Sequence, residues 1–276
     1  MGSAAKWLTT PAITWVALCG MGGAPTTRDP VLFRYSASHL QCARFGETST
    51  GTLEAETGGR RRRETIGRSG VWNFRAAAVA GEIALEGWYD SLAVWRESPE
   101  GKLVPDTDGL IGGRYRGRLS PSGEYRSEGV PFVPDEVAEV ADMRGAAGDL
   151  LPLLSPAGLD VGQVWRDSAG LEIRRLPDST AGTRVVLRLL LHARTSLHQA
   201  RLPGDSSSIE TQQMSVENGR VSWDAAAGLL HRERHIVVET TVPAGGPIRW
   251  PVRSRLVQDV TLSRLASDRS APGSCS

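Results

Sequence analysis

The sequence predicts a mainly β protein built on a large curved antiparallel sheet, or a partly open barrel, with one short helical segment. Past residue 30, apolar and polar residues alternate with a period of two, which places one face of a strand on a core and the other in water. Turn residues separate the alternating stretches, and helical spacing of apolar residues is scarce. A sheet of about ten strands tends to curl rather than lie flat, so the pattern also predicts curvature.

The clearest alternation runs over residues 183–200 and 229–242, where aliphatic residues take one face and mainly arginine, histidine and glutamate take the other. Turns rich in glycine, serine and alanine predict hairpins over residues 113–126 and 219–230. Together these segments predict the long strands of one sheet. Further strand candidates are residues 31–38, 64–78, 82–97, 171–176, 209–217 and 249–264.

Residues 134–161 interrupt the β pattern and predict a helical crossing of the sheet. Val137, Val140 and Ala141 fall at helical spacing behind an acidic first turn, which predicts one short helix over residues 136–144. Two prolines break the remainder, which is expected to lie along the sheet as an irregular cover. A hydrophobic groove under this cover is one expectation, and ordinary core packing of the same residues is the other.

One folded domain is expected over residues 25–266, although a chain of 276 residues could also hold two small ones. Residues 1–24 carry a positive charge, an apolar run and then small residues, the order of a cleaved signal peptide. The run is shorter than the roughly 20 residues of a spanning helix, so no transmembrane span is expected in the mature chain. Residues 267–276 are predicted to form a flexible tail. Export predicts a periplasmic or cell-envelope location.

The three cysteines carry the predictions about covalent modification. The segment that ends in Cys19 is similar to the box at which bacterial lipoproteins are acylated, but Leu18 stands where a small residue is expected. Lipidation at Cys19 and ordinary secretion therefore stay open. An oxidising compartment could join Cys42 and Cys275 in a disulfide, and two unpaired thiols are the alternative.

Charge excludes some classes of function. The 32 basic and 31 acidic residues leave a formal net charge of +1, without the one-signed field that a nucleic-acid binder usually shows. The four consecutive arginines at residues 60–63 could grip phosphate groups, or they could be the solvated start of a strand. Glu54, Glu56 and Glu64 lie close in sequence and are expected to offset much of this charge.

The sharpest candidate for chemistry is a group of alternating residues on one predicted strand. His231, Glu233 and His235 are expected to point the same way, and such a trio could ligate a metal, with His192 or His198 of another strand as a further ligand. The same residues also suit the solvent-facing side of a strand, and their spacing differs from the helical motif of metalloproteases. No nucleophile elbow and no phosphate-binding loop is found, so no cofactor is expected.

Several turn and strand motifs resemble those of uncharacterised secreted bacterial β proteins similar to the periplasmic lipoprotein-carrier group. They are residues 162–165 (Gly-Gln-Val-Trp), the hairpin 219–230 with Trp-Asp before its turn, and the turn 120–123 (Ser-Pro-Ser-Gly). The resemblance covers about residues 110–265, and these motifs are not specific to one family. It implies a signal peptide, a curved antiparallel sheet with a helical flap, and non-catalytic binding of an acyl chain or a protein partner.

These observations predict a non-catalytic exported envelope protein that binds a hydrophobic ligand or a lipoprotein partner. A metal-dependent enzyme built on the histidine and glutamate trio is one alternative, and an interaction module without a small ligand is another. The charged face of residues 229–242 and the arginines at 60–63 depart from what a lipid carrier requires, which leaves the ligand open.

Overall fold

The computed structural model describes residues 30–181, 184–201, 208–245 and 248–266. Within these residues the chain forms twelve strands and three short α-helices, so the predicted mainly β class is confirmed. The strands are β1 (Arg44–Thr57), β2 (Arg60–Val79), β3 (Glu82–Ser98), β4 (Gly101–Leu103), β5 (Tyr115–Leu119), β6 (Tyr125–Gly129), β7 (Val164–Arg166), β8 (Leu171–Ala181), β9 (Arg184–Arg201), β10 (Ser208–Asp224), β11 (Gly228–Val242) and β12 (Val252–Arg264). The helices are α1 (Ala37–Leu40), α2 (Asp135–Ala138) and α3 (Ala146–Leu150).

All described strands belong to one open antiparallel sheet. Its order is β6-β5-β3-β2-β1-β12-β11-β10-β9-β8-β7, with β4 beside β3. The ladder between β1 and β12, which joins the two ends of the described chain, therefore stands in the middle. The predicted signal peptide and tail lie outside the described residues.

The central strand β1 was not among the predicted strands, because its buried face lacks the apolar residues by which a strand is recognised. Phe45 is followed on that face by Glu47, Ser49 and Gly51, and all four are buried. Two flanking strands supply the backbone partners that this segment needs. Its β structure thus follows from its position in the sheet rather than from its own pattern.

Two other predictions are corrected by the structure. The predicted break between the strand candidate 209–217 and the hairpin 219–230 lies inside β10, because β9 and β11 pair with Asn218 and Gly219 from either side. The predicted strand over residues 31–38 makes only one bridge, from Val31 to Leu159. It ends in α1, whose first turn is capped by the Ser36 side chain.

Residues 134–161 lie across one face of the sheet, here called the inner face, as an irregular cover. In place of one helix over residues 136–144, the cover has the two short helices α2 and α3. The cover buries aliphatic side chains against the sheet: Val137, Val140, Met143, Ala146, Ala147, Leu150, Leu151, Leu154 and Leu159. Opposite them the sheet contributes a cluster of aromatic rings around Trp72, which is fully buried.

The sheet curls around this cover. Helix α3 accepts hydrogen bonds from Arg232 of β11, and a Cβ atom at Gly148 of the same helix would lie 3.5 Å from the Tyr125 ring of β6. Five strands separate β6 from β11 in the sheet, so one short helix can reach both only if the sheet is strongly curved. The curved, unclosed sheet agrees with the sequence expectation.

Candidate functional site

The inner face has a covered half and an uncovered half. On the uncovered half, Leu53 of β1 lies opposite Leu256 of β12, which lies opposite Val238 of β11. Directly paired residues share a face, so these three side chains stand on the inner face with the buried residues of β1. They form, with two neighbours, an apolar group here called the open strip. Its members are all half-buried: Leu53, Ile66, Ile236, Val238 and Leu256.

Gly51 forms the floor of the open strip. It lies opposite Ile66 of β2 and Gln258 of β12. A Cβ atom at this position would lie 3.3 Å from Ile66 Cγ1 and 3.3 Å from Leu256 Cδ1. The side chains of two strands therefore converge over the glycine of the strand between them, which makes the strip continuous.

Arginine side chains from β11 hold the cover at the edge of the open strip. Arg232 donates hydrogen bonds to the main-chain carbonyls of Asp149 (2.6 Å) and Leu150 (2.9 Å), and Arg234 donates to that of Asp149 (3.2 Å). Both arginines also donate to the Glu217 carboxylate, at 2.7 to 3.1 Å. Because a helix leaves its last carbonyls without partners inside the helix, these donors satisfy groups that would otherwise be buried unpaired.

The charges of Arg232, Arg234 and Glu217 depend on one another. Burial, followed by repulsion from Arg234, lowers the pKa of Arg232 to about 10, so its guanidinium remains protonated at neutral pH. Burial opposes the ionisation of Glu217, but the hydrogen bonds and charges of the two arginines outweigh it and lower the pKa of that carboxyl. The group therefore fixes the cover with charged hydrogen bonds, which are stronger than neutral ones.

Sequence reasoning missed these arginines although the sequence carries a signal for them. Residues 232 and 234 occupy positions of β11 that share the face of Ile236 and Val238. Charged residues in the apolar half of an alternating pattern are buried with partners or are functional. Their interruption of the apolar face could have marked the place where the cover docks.

A second polar cluster lies deeper, under the cover. The carboxylate of Glu47 is almost fully buried and accepts hydrogen bonds from Trp72 Nε1 (2.9 Å), Tyr89 Oη (3.0 Å) and the Arg68 guanidinium. Burial and the neighbouring carboxylate raise the pKa of Tyr89 well above its usual value, so it remains a donor. Each Glu47 oxygen thus has partners, and the cluster ties three strands together.

The space between this cluster and α3 measures only about 10 Å³, which is room for about one water molecule. The covered half of the inner face therefore packs solidly, and core packing accounts for the cover better than a groove beneath it. On the inner face, the open strip is an apolar group that lies beyond the cover.

The structure does not assemble the metal site considered for β11. His231 and His235 share the outer face of the strand with Glu233, as alternation predicts, but each imidazole Nδ1 is engaged by a β12 side chain. His231 lies 2.9 Å from Ser263 Oγ, and His235 lies 2.8 Å from Asp259 Oδ1. In the part of the chain that is described, no group of three histidine, cysteine, aspartate or glutamate side chains is placed to hold a metal ion.

Of the two histidines considered as further ligands, His192 pairs with Asn218 through its Nδ1 atom, at 2.8 Å. The side chain of His198 lies outside the described residues. Cys42 is disulfide-bonded, and its partner lies outside them too. Lipidation at Cys19 and a Cys42–Cys275 bridge therefore stay predictions.

The arginines at the start of β2 are largely offset, as expected. Arg61 pairs with Glu56 at 3.2 Å and Arg63 with Glu54 at 3.8 Å, both across the β1–β2 ladder. Arg62 pairs with Glu64 at 2.5 Å. The Arg61–Glu56 and Arg63–Glu54 pairs are exposed and contribute little to stability, so they mainly set the local charge, whereas Glu64 is buried.

Comparisons with known proteins give no family. No family model and no curated protein matches the chain. Among solved structures, a lipovitellin structure concerned with lipid–protein interactions matches 84% of this chain at 11% identity with a TM-score of 0.47. An exported Bacteroides fragilis protein with a YmcC-like fold matches 78% of this chain and 98% of its own at 12% identity and a TM-score of 0.19. A DUF1329 protein from Desulfovibrio piger matches 85% of this chain and 89% of its own, at 12% identity and a TM-score of 0.15.

The chain spans only 26% of the lipovitellin chain that it matches. Scores and identities this low assign neither a family nor a function. Within the described residues, none of the helices is long and apolar enough to cross a membrane.

Proposed function

We propose that this chain is a non-catalytic protein of the periplasm or cell envelope whose curved sheet binds a hydrophobic ligand on the open strip. The supporting observation is that five aliphatic side chains from four adjacent strands form one continuous group beyond the edge of the cover. Apolar groups left outside a dense core commonly mark a binding surface. An acyl chain, free or carried by an envelope lipoprotein, is the ligand that suits this surface.

The size of the open strip agrees with such a ligand. Four adjacent antiparallel strands span about 14 Å, at roughly 4.8 Å per strand. An extended acyl chain could cross all four, and each methylene removed from water contributes about 0.8 kcal/mol. Because association itself costs several kcal/mol, retention requires contact with most of the methylenes that cross the strip rather than with a few of them.

Native mass spectrometry of the gently purified chain tests this function. We expect an adduct with the mass of an acyl ligand in the wild type, its loss in Leu256→Asp, and its retention in Val257→Asp. Leu256 and Val257 are adjacent half-buried residues on opposite faces of β12, so the pair controls for general damage to the strand. A wild type without an organic adduct would contradict the proposal. A zinc adduct would instead favour the metal-dependent alternative.

A further inference from the structure

The end of the sheet beyond the open strip brings together two connections of the chain. The turn between β1 and β2 contains Gly58, and a Cβ atom there would lie 3.4 Å from the ring of Trp250, in the connection between β11 and β12. Trp250 nevertheless exposes 53% of its surface. The guanidinium carbon of Arg249 lies 5.6 Å from the centre of the ring, at the distance of a cation–π contact.

Three cations of this end have no carboxylate partner within the described residues: Arg60, Arg249 and Arg253. The nearby Arg61 and Arg63, by contrast, form salt bridges with Glu56 and Glu54. We name the group of Arg60, Arg249, Trp250 and Arg253 the basic tip. This end of the sheet thus carries three cations without a carboxylate partner among the described residues, although the chain has a net charge of only +1.

An outer-face cleft of about 630 Å³ adjoins the basic tip, but its charges are mixed. Its lining alternates arginines of β2 and β12 with glutamates of β1 and β11. Arg255, for example, lies 3.4 Å from Glu239. Arg253 belongs both to this lining and to the basic tip, and it lies opposite Glu56 in the β1–β12 ladder without a salt bridge to it. The other cations of the cleft are paired, so attraction for an anionic partner arises at the basic tip.

The basic tip lies next to the open strip, with one row of the inner face, Ala55, Ser254 and Thr240, between them. Val242 and Val252 form the last pair of the β11–β12 ladder, on the same inner face as Val238 and Leu256, and Thr57 of β1 pairs with Val252. An exposed tryptophan flanked by arginines is the residue combination that favours the headgroup region of a membrane. Nucleic acid would use the charges and the ring but would leave the adjoining apolar face without a role.

We propose that the basic tip docks the protein on the surface of an anionic lipid membrane, with Trp250 in the headgroup layer and the three arginines on lipid phosphates. The choice of a lipid partner rests on the proposed function of the open strip, which the tip would bring next to the acyl chains. Arg60 and Arg253 stand on the ends of β2 and β12, so a rigid sheet presents them.

Vesicle flotation of the purified full chain tests this docking. We expect binding to vesicles of phosphatidylcholine and phosphatidylglycerol in equal parts, weak binding to phosphatidylcholine alone, and loss of binding in high salt. Each basic residue near such a surface contributes enough for the triple variant Arg60→Gln, Arg249→Gln, Arg253→Gln to lower the partition coefficient roughly 100-fold. Trp250→Ser should lower it at low salt, where the wild type binds.

A matched control removes three charges elsewhere: Arg116→Gln, Arg126→Gln and Arg166→Gln, whose side chains are each about two-thirds exposed. This control should bind vesicles as the wild type does. Equal binding to neutral and anionic vesicles, or equal losses in both triple variants, would overturn the proposal. Heparin binding that is lost in parallel would also overturn it, because the tip would then be a general polyanion site.

The docking proposal and the proposed function can fail separately. The basic-tip variants should keep the acyl adduct in native mass spectrometry, whereas Leu256→Asp should lose the adduct and still bind vesicles. Vesicle binding without any adduct would contradict the ligand-binding function alone. An adduct without vesicle binding would contradict the membrane-docking proposal alone.

Discussion

Arg232 of β11 donates a 2.6 Å hydrogen bond to the main-chain carbonyl of Asp149 in α3. The other side of α3 lies beside β6, which stands six positions from β11 in the order of the sheet. This contact makes the cover part of the core. Arg232→Leu leaves Glu217 bound by Arg234 but removes the donor to the buried Leu150 carbonyl, so we expect it to lower the free energy of unfolding by about 2 kcal/mol.

The same substitution should raise amide hydrogen exchange of α3 more than that of the sheet, because the Leu150 carbonyl loses its donor and the Asp149 carbonyl keeps only Arg234. Denaturant unfolding and exchange mass spectrometry check the two effects. Glu233→Leu is the matched control, since Glu233 is the next residue and faces outward. Equal effects in both variants would show that Arg232 has no special role in holding the cover.

The lowered pKa of Glu217 predicts how acid affects the cover. Its folded-state pKa lies below the unfolded value, so its contribution to stability is present above the unfolded pKa and is lost as pH falls through the folded pKa. We expect Glu217→Gln to destabilise the protein at neutral pH, and the difference from the wild type to shrink as the solution is acidified. Urea unfolding at a series of pH values measures this, and a pH-independent difference would contradict it.

The ring of Trp95 on β3 lies across Gly67 of β2, where a Cβ atom would overlap the indole. Gly67→Ala must therefore displace the ring, and overpacking of this kind costs about 1 to 3 kcal/mol. In a Trp95→Ala background the same substitution should cost much less, since the obstacle is gone. A double-mutant cycle by thermal unfolding tests this, and additive effects would refute the contact.

The partner of Cys42 can be predicted from the end of β12. The amide of Leu265 donates to the Arg44 carbonyl at 2.9 Å, so the chain leaves β12 beside the start of β1. We expect non-reducing peptide mapping to recover a Cys42–Cys275 peptide, and Cys275→Ser to leave a free thiol at Cys42. A Cys19–Cys42 peptide would give the opposite answer and would exclude lipidation at Cys19 in that population.

The alternation of apolar and polar residues was sufficient to predict a strand wherever its inner face is aliphatic. It predicted β9 and β11 nearly to their ends, because half-buried strands must separate apolar from polar residues. It failed at β1, where Glu47 and Ser49 occupy core positions. The partners of Glu47 are Arg68 and Trp72, and that of Ser49 is Gln258. These residues are distant in sequence, so no local pattern records them.

The sequence predicted the apolar strand face that carries the candidate site, but not the position of the site along that face. Val238 and Ile236 were assigned to the apolar face of their strand, yet nothing in the sequence says that the cover stops before reaching them. The cover ends there because Arg232 and Arg234 anchor α3 at that height of the sheet. The histidines of β11 were placed on the correct face, but their partners on β12 could be known only from the strand register.

The central ladder of the sheet pairs the first long strand with the last one, Phe45 with Arg264 and Thr57 with Val252. A chain that emerges in order from its N-terminus can therefore not assemble the middle of its sheet until β12 has emerged. Contacts of such long sequence separation also slow folding. Consecutive strands of each half can pair earlier, so the union of the two halves through β1 and β12 is expected to be the last step of folding.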